Sequence, residues 1–377
     1  MSETFQSVDN ARVLVVSLRN ARPEVARCCA YEFEDVVLEV DDADLLAPRA
    51  HPPEFHSALL KRAARAIERR TPIAITHQPT FIPERIERDY EVLFLMCQRL
   101  SDLRVLESIS GWRERCQQVV CWVEEMWAAS LEARGALVHT RHFDHIFVGC
   151  QGTVAPLQEA TGIPCTYGLP AVNVERFTPL PEPPERSIDC YWMGRRAPVS
   201  HQALYRRMVS GNFHYMFDTV PGQKNLYDAA QHRVHLAGLV KRSRYFVANK
   251  AKQNMAFQTG GQDEVGLRFF EGIAGGAVLL GARPECETYS RHFDWPDACI
   301  QLNWDSPDFP EVIDALDREP ERVAAIHHRN AVEALRRHDS SYRWRDVLHT
   351  LGLEPRPQLA EREARLHALA DASEVTA

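Results

Sequence analysis

The sequence lacks several features that would assign it to a simple class of protein. No apolar run approaches the roughly 20 residues that a bilayer-spanning helix needs. The first ten residues, MSETFQSVDN, carry no charged and then apolar signal pattern, so we expect a cytoplasmic protein, with peripheral membrane contact left open. A formal net charge of −8 over 377 residues argues against a general nucleic-acid binder.

Signatures of metal and cofactor sites are also missing. The ten cysteines form no CxxC pair, and the sixteen histidines fall in no HExxH frame, so we predict reduced cysteines and no bound metal. No GxGxxG follows the apolar run 12–17, which argues against an NAD(P) dehydrogenase. We therefore expect no resident cofactor.

The sequence does contain apolar runs that alternate with helical patterns, and this alternation predicts an α/β fold with parallel sheets covered on both faces. We expect strands at residues 12–17, 34–40, 72–76, 90–97, 118–123, 143–149, 188–193, 214–218, 245–249, 277–280 and 298–302. We expect helices at residues 56–70, 153–161, 201–209, 226–244, 267–274, 309–316, 320–337 and 341–351, with a helical tail from 354 onwards.

A proline-rich stretch divides the chain. Residues 164–184 hold six prolines and little periodicity, which is typical of a linker. With a length that suits two domains, we predict a first domain at 1–170, a linker at 171–186, a second domain at 187–340 and a C-terminal helix and tail at 341–377.

The stretch from 260 to 281, GGQDEVGLRFFEGIAGGAVLLG, places acidic residues around the start of a predicted helix. Asp263 precedes this helix, and Glu271 lies on its second turn. A helix N-terminus favours phosphate, and carboxylates beside it can accept hydrogen bonds from sugar hydroxyls. The alternative is purely structural: Asp263 caps the helix, Glu264 and Arg268 form an i, i+4 pair, and Glu271 is solvated.

Further candidates follow predicted strands, because ligands of parallel sheets bind beyond the carboxyl ends of the strands. In the first half these residues are His77, Glu124 and Glu125. In the second half the basic residues Arg195, Lys250 and Lys252 end two strands. The alternatives are a satisfied loop histidine for His77 and a solvated strand end for Glu124.

Three segments in this order resemble a GT-B glycosyltransferase of the group-1, family-4-like kind. The junction reads HIFVGCQGTVAPLQEATGIPCTYGLPAVNVERFTP, residues 193–196 read MGRR where the family has Val-Gly-Arg-Leu, and residues 263–271 are similar to its Glu-x7-Glu segment. The match runs from about residue 140 to about residue 350. The first 140 residues match only in strand order.

The resemblance implies two Rossmann-like, doubly wound domains that face each other across a cleft, with the C-terminal helix packing back on the first domain. It implies a retaining glycosyltransferase that moves a sugar from a nucleotide-sugar donor to an acceptor hydroxyl of a small molecule, glycan or lipid without a metal. Asp42-Ala43-Asp44, the candidate Asp-x-Asp metal motif, lies in the first half and is expected to be a loop. The alternatives are a nucleotide-sugar epimerase, which shares the architecture, and a non-catalytic nucleotide-sugar binder.

Roles are carried over residue by residue on this resemblance. Arg195 would contact the donor diphosphate, Glu271 the ribose hydroxyls and Asp263 the donor-sugar hydroxyls. The backbone N–H groups around Gly266 and Leu267 would lie near the phosphates.

The sequence departs from the family pattern at three positions. Ser200 stands where the family has a lysine, so Lys250 or Lys252 would supply the second positive charge. Asp263 replaces a glutamate, which leaves the choice of sugar open. Glu124 stands where the family often has a histidine and would orient the acceptor.

Overall fold

The computed structural model describes residues 4–51, 80–131, 134–218 and 228–375. Within these ranges the chain forms two mostly parallel β-sheets with helices packed around them. The predicted α/β class with two parallel sheets is confirmed. The predicted helix 56–70, the predicted strand 72–76 and His77 lie outside the described residues.

In the described residues the first sheet has the strand order β1-β3-β2-β5-β7-β8-β9, and only β1 runs antiparallel to its neighbour. Two short strands, β4 and β6, form a separate parallel pair. The strand bounds are β1 Phe5–Gln6, β2 Val13–Val16, β3 Ala43–Leu46, β4 Glu84–Arg85, β5 Tyr90–Cys97, β6 Ile109–Ser110, β7 Cys116–Val123, β8 His145–Val148 and β9 Cys165–Tyr167.

The second sheet is parallel in every described pair and has the strand order β11-β10-β12-β13-β14. Its inner strands β10, β12 and β13 are mostly buried, as expected where helices cover both faces. The strand bounds are β10 Ile188–Met193, β11 Tyr215–Asp218, β12 Ser243–Val247, β13 Val278–Gly281 and β14 Ile300–Gln301.

The helices connect these strands and cover both sheets. Their bounds are Cys28–Val40, Trp112–Arg115, Val154–Thr161, Val174–Phe177, Pro198–Ser210, Ala229–Lys241, Ala256–Thr259, Leu267–Ala274, Glu287–His292, Phe309–Asp317, Pro320–Arg337, Ser340–Thr350 and Pro357–Val375. Short 3-10 helices occupy Val25–Arg27, Leu100–Ser108, Ala128–Ser130, Arg134–Thr140 and Gln151–Thr153.

The strand predicted at 34–40 is wrong, because these residues end the helix Cys28–Val40. Phe33, Val37 and Val40 recur at helical spacing and are buried against the first sheet. The Phe33 ring lies 5.9 Å from that of Phe94 on β5. The window that suggested a strand was too short to show the helical period.

The loop predicted at Asp42-Ala43-Asp44 is also wrong, because Ala43 and Asp44 open β3. Asp44 is buried and accepts hydrogen bonds from the Tyr90 hydroxyl (2.7 Å) and the Val8 backbone N–H (2.8 Å). The Asp44 carboxylate therefore forms structural hydrogen bonds within the first half of the chain.

The C-terminal helices pack back on the first sheet, as predicted. Trp344 on helix Ser340–Thr350 belongs to the core of the first sheet, where its ring meets the Phe94 ring edge-on at 5.3 Å. Its indole N–H donates to Oδ2 of Asp41 at 2.9 Å. Leu366, on the last helix, is buried in the core of the second sheet. The tail thus joins the two cores, and the domain boundaries given above stay a prediction.

Candidate functional site

The second sheet reverses its strand order between β10 and β12. The chain leaves β10 for β11 on one side and returns to β12 on the other, and such a switch opens a crevice at the carboxyl ends of the strands. A cavity of about 700 Å³ lies here, lined by Arg195 after β10, by Asn249 and Lys250 after β12, and by Leu267 and Glu271.

A second cavity of about 360 Å³ adjoins the first and shares Arg195, Lys250 and Leu267 with it. It reaches the first sheet, where Glu124 follows β7 and Gly149 follows β8. The two cavities together form a cleft between the carboxyl ends of both sheets. We call them the large cavity and the small cavity.

Three of the predicted cations line this cleft. Arg195 lines both cavities, is exposed, and directs its guanidinium to the thioether sulfur of Met255. Lys250 also lines both cavities, and its ammonium lies 3.0 Å from Oδ2 of Asp263. Lys252 lines the small cavity and pairs with Glu125 at 2.8 Å. The structure therefore brings the predicted phosphate ligands together.

The helix Leu267–Ala274 points its N-terminus at the same cleft. Gly266 is its N-cap residue, and no side chain caps the helix, so the structural alternative in which Asp263 caps it is wrong. A Cβ at Gly266 would lie 2.8 Å from the carbonyl oxygen of Asn249, a contact closer than side chains make. Glycine is thus required where this N-terminus approaches the loop after β12.

Glu271 lines the large cavity but is fully buried rather than solvated, so this alternative is wrong too. Its Oε1 accepts from Arg233 and its Oε2 accepts from Arg268. Burial alone would raise the pKa of Glu271, but Arg268 and Arg233 hold this pKa below its ordinary value. Glu271 is therefore ionised, and Arg268 pairs with it rather than with Glu264.

Arg233 links the two halves of the molecule. Besides Glu271 it binds Oε2 of Glu32, with its Nη2 at 2.8 Å and its Nε at 3.1 Å. Glu32 belongs to helix Cys28–Val40, and its Oε1 also accepts from Arg176 at 2.8 Å. Sequence reasoning missed Arg233 and Glu32, because neither belongs to a motif. Glu32 also lies just before residues 34–40, which were predicted as a strand and belong to a helix.

Asp263 does not line either cavity. Its Oδ2 accepts from Lys250 and from the Glu285 backbone N–H, each at 3.0 Å. The next residue, Glu264, is 2% exposed and lines the small cavity.

The two oxygens of Glu264 differ. Its Oε1 accepts from the Gly152 backbone N–H at 2.8 Å, whereas its Oε2 is buried and has no hydrogen-bond partner among the described residues. The carboxylate that lines the cleft is thus that of Glu264, one position after the predicted Asp263. The role predicted for Asp263 stays a prediction.

Glu124 lies in the small cavity beside Cys29, whose thiol donates to Oε1 of Glu124 at 3.2 Å. Burial raises the pKa of Glu124 to about 7. A carboxyl group with this pKa can exchange a proton near neutral pH. Its neighbour Glu125 is instead paired with Lys252.

No group of three or more His, Cys, Asp or Glu side chains within the described ranges could hold a metal ion. All ten cysteines are free thiols. No helix among the described residues is both long and apolar enough to cross a membrane.

Two assemblies are among the solved structures that match the chain. One is a Glycosylation Associate Protein (Gap123) complex from Streptococcus agalactiae, at 12% identity and a TM-score of 0.35, over 74% of this chain and 55% of that chain. The other is accessory secretory protein 1, 2 and 3 in Streptococcus pneumoniae, at 11% identity and a TM-score of 0.39, over 74% of this chain and 54% of that chain. The chain thus spans about half the length of the structures it matches.

No curated protein matches the chain. A family model does match: residues 201–349 fit the model described as glycosyl transferase-like. This range contains β12, with Lys250 just after it, and the helix that carries Arg268 and Glu271. The second half of the chain is therefore similar to a glycosyl transferase-like domain.

Proposed function

We propose that this protein is a glycosyltransferase that transfers a sugar from a nucleotide-sugar donor to an acceptor hydroxyl. The observation that supports it best is the convergence of Arg195, Lys250 and the Gly266 helix N-terminus at the strand-order switch of the second sheet. Cations and free backbone N–H groups at such a switch suit a diphosphate. The match of residues 201–349 to a glycosyl transferase-like model favours a sugar nucleotide over other phosphates.

In this proposal the large cavity binds the nucleoside diphosphate. Arg195 and Lys250 contact the phosphates, together with the backbone around Gly266 and Leu267, and Glu271 accepts from the ribose hydroxyls. The sugar extends into the small cavity. There the unpaired, buried Oε2 of Glu264 offers an acceptor for a sugar hydroxyl, the role that sequence reasoning gave to Asp263.

The proposed reaction breaks the bond between the anomeric carbon and the phosphate oxygen and forms one between that carbon and the acceptor oxygen. Negative charge builds on the departing diphosphate, where Arg195, Lys250 and the helix N-terminus stabilise it without a metal ion. The acceptor oxygen attacks the face of the anomeric carbon that the phosphate leaves, so the configuration is retained, and the departing phosphate takes the acceptor proton. Glu124, at the acceptor side of the small cavity, orients the acceptor hydroxyl.

A non-catalytic nucleotide-sugar binder is the second candidate. Asp263 lies outside the cavity lining and is tied to Lys250, and both oxygens of Glu271 are already occupied. Such a protein would bind nucleotide sugars and leave them intact. An epimerase would instead return a changed sugar nucleotide with no acceptor present.

The test is a thermal-shift panel of nucleoside diphosphates and nucleotide sugars, followed by product analysis. A ligand at one hundred times its dissociation constant stabilises the folded state by about 2.7 kcal/mol, so a true donor raises the melting temperature. Arg195→Gln should weaken this effect, whereas Arg322→Gln, on a surface arginine paired with Asp297 and Glu319, should not.

Product analysis then separates the candidates. Release of the nucleoside diphosphate with sugar transfer to an acceptor supports the transferase. Binding without turnover supports the binder. If no nucleotide or nucleotide sugar raises the melting temperature, the proposed function is wrong.

A further inference from the structure

The Glu271 carboxylate, although it belongs to the lining of the large cavity, is not accessible to a ribose in this arrangement of side chains. One oxygen of the carboxylate accepts from Arg233 and the other from Arg268, and the side chain is fully buried. Each oxygen has a second lone pair, so the restriction is access: because the side chain is fully buried, a ribose diol reaches it only if a neighbouring side chain such as one of the two arginines moves. The two arginines differ in how firmly they are held.

Arg233 is fixed in place. Its side chain is 3% exposed, two of its nitrogens bind Glu32, and its guanidinium carbon lies 4.9 Å from the centroid of the Phe177 ring. Withdrawing it would leave each of two buried carboxylates, Glu32 and Glu271, with a single partly exposed arginine as its partner, which is costly. Arg233 is therefore the permanent partner of Glu271.

Arg268 is held far more weakly. Its side chain is 31% exposed, and its ion pair with Glu271 is of the i, i+3 type along one helix. A partly exposed guanidinium loses less than a buried one when it leaves its partner, because water can solvate it. Arg268 also lies in the first turn of helix Leu267–Ala274 and lines both cavities, so its guanidinium stands beside the N-terminus that faces the cleft.

We propose that Arg268 exchanges partners when a nucleoside diphosphate binds. Its guanidinium leaves Oε2 of Glu271, ribose hydroxyls take that oxygen, and the freed guanidinium binds the diphosphate. The exchange rests on the proposed function, because it needs a nucleotide in the large cavity. A planar guanidinium can bind phosphate oxygens with two parallel hydrogen bonds, which compensates for the lost contact with Glu271.

The exchange makes Arg268 a residue that determines specificity, because it distinguishes ligands that carry a phosphate from ligands that do not. A nucleoside must displace Arg268 from Glu271 and offers it no new partner. A nucleoside diphosphate also displaces Arg268 from Glu271, but it offers the guanidinium phosphate oxygens as new partners. The difference in affinity between the two ligands therefore depends on Arg268, as required when a ligand shifts an equilibrium only by its differential interactions.

The experiment measures, by calorimetry, the affinities of a nucleoside diphosphate and of its nucleoside, with the base chosen from the thermal-shift panel. The variants are Arg268→Gln, Arg268→Lys and the matched control Arg322→Gln, which alters another i, i+3 arginine–glutamate pair outside the cleft. We expect Arg268→Gln to weaken binding of the diphosphate about tenfold or more, because hydrogen bonds to a charged group are lost. The affinity for the nucleoside should stay unchanged or rise. Arg268→Lys keeps the charge, and its affinity for the diphosphate should lie between those of the wild type and of Arg268→Gln.

Each outcome decides the matter. If Arg268→Gln weakens both ligands by the same factor, or leaves their affinity ratio unchanged, Arg268 does not exchange partners. If the wild-type protein binds neither ligand, the proposed function fails and the exchange with it. A folded Arg268→Gln protein with a lowered diphosphate-to-nucleoside ratio supports the exchange.

Discussion

Replacing Arg233 with methionine removes the guanidinium that joins Glu32 of the first half to Glu271 of the second. All three side chains are at most 3% exposed, so water cannot replace the lost partner. Glu32 keeps its contact with Arg176, and Glu271 keeps Arg268. The variant therefore tests what a buried bridge between the two halves contributes.

The expected loss is large. Removing one partner of a buried ion pair costs about 3–5 kcal/mol, and here the two buried carboxylates keep only partly exposed arginines as partners. With about 2.1 cal/mol/K of unfolding entropy per residue, a chain of 377 residues gains roughly 0.8 kcal/mol/K on unfolding. The melting temperature of Arg233→Met should therefore fall by about 4–6 °C.

Two further variants make the assay specific. Arg268→Met removes the partly exposed partner of Glu271 and should cost about 1 kcal/mol or less, which is a shift of about 1 °C. The double variant Arg233→Met/Glu271→Gln should recover part of the loss, because it also removes the negative charge of Glu271, a buried carboxylate that has lost Arg233 as its partner. Thermal melts followed by circular dichroism compare all of them.

The pH dependence has a definite sign. The pKa of Glu271 in the folded protein lies below its ordinary value of 4.5, so its stabilising effect is present above pH 4.5 and is lost as the pH falls through the folded-state pKa. The gap between the wild type and Arg233→Met should therefore narrow in acid. The reasoning is refuted if Arg233→Met melts within about 1 °C of Arg268→Met at neutral pH, or if the gap widens in acid.

Three other perturbations have defined outcomes. Gly266→Ala places a Cβ against the Asn249 carbonyl and should cost about 1–3 kcal/mol and weaken donor binding, whereas Gly211→Ala, with open space around it, should do neither in the same melts and titrations. Burial raises the pKa of Glu124 from its ordinary value of 4.5 to about 7, so stability is lost as the pH rises from about 4.5 to about 7, and Glu124→Gln should flatten the fall in melting temperature over that interval. Arg362→Met removes a fully buried guanidinium that binds carboxylates from both halves, and a urea titration should show a loss of about 3–5 kcal/mol; a change below 1 kcal/mol would contradict this.

Much of the architecture was predictable from local pattern. The strands Tyr90–Cys97 and Ile188–Met193 have the predicted bounds, and so do the helices Leu267–Ala274 and Pro320–Arg337. Each is a continuous apolar run or a clear helical period, which local sequence reports directly. The failure at Cys28–Val40 has the same origin, because a window of seven residues with adjacent valines carries too little period to separate a helix from a strand.

The candidate site was predictable in part. The family resemblance implied that Arg195, Lys250 and the Gly266 helix would meet, and they do line one cleft. The sequence could not indicate which of Asp263 and Glu264 faces that cleft, because the loop before the helix has no period from which a side chain's direction follows. His77 remains a prediction outside the described residues.

The sequence by itself determined the alternation of strands and helices, the division into two halves and the cluster of charged residues at the strand ends. Only the tertiary structure decided which charges meet. Arg233 binds Glu32 across 201 residues of chain and Glu271 across 38, and no local pattern connects them. The physical reason is that hydrophobic periodicity reports how each segment is buried against a core, whereas the partner of a buried charge depends on where separate segments lie once they have packed.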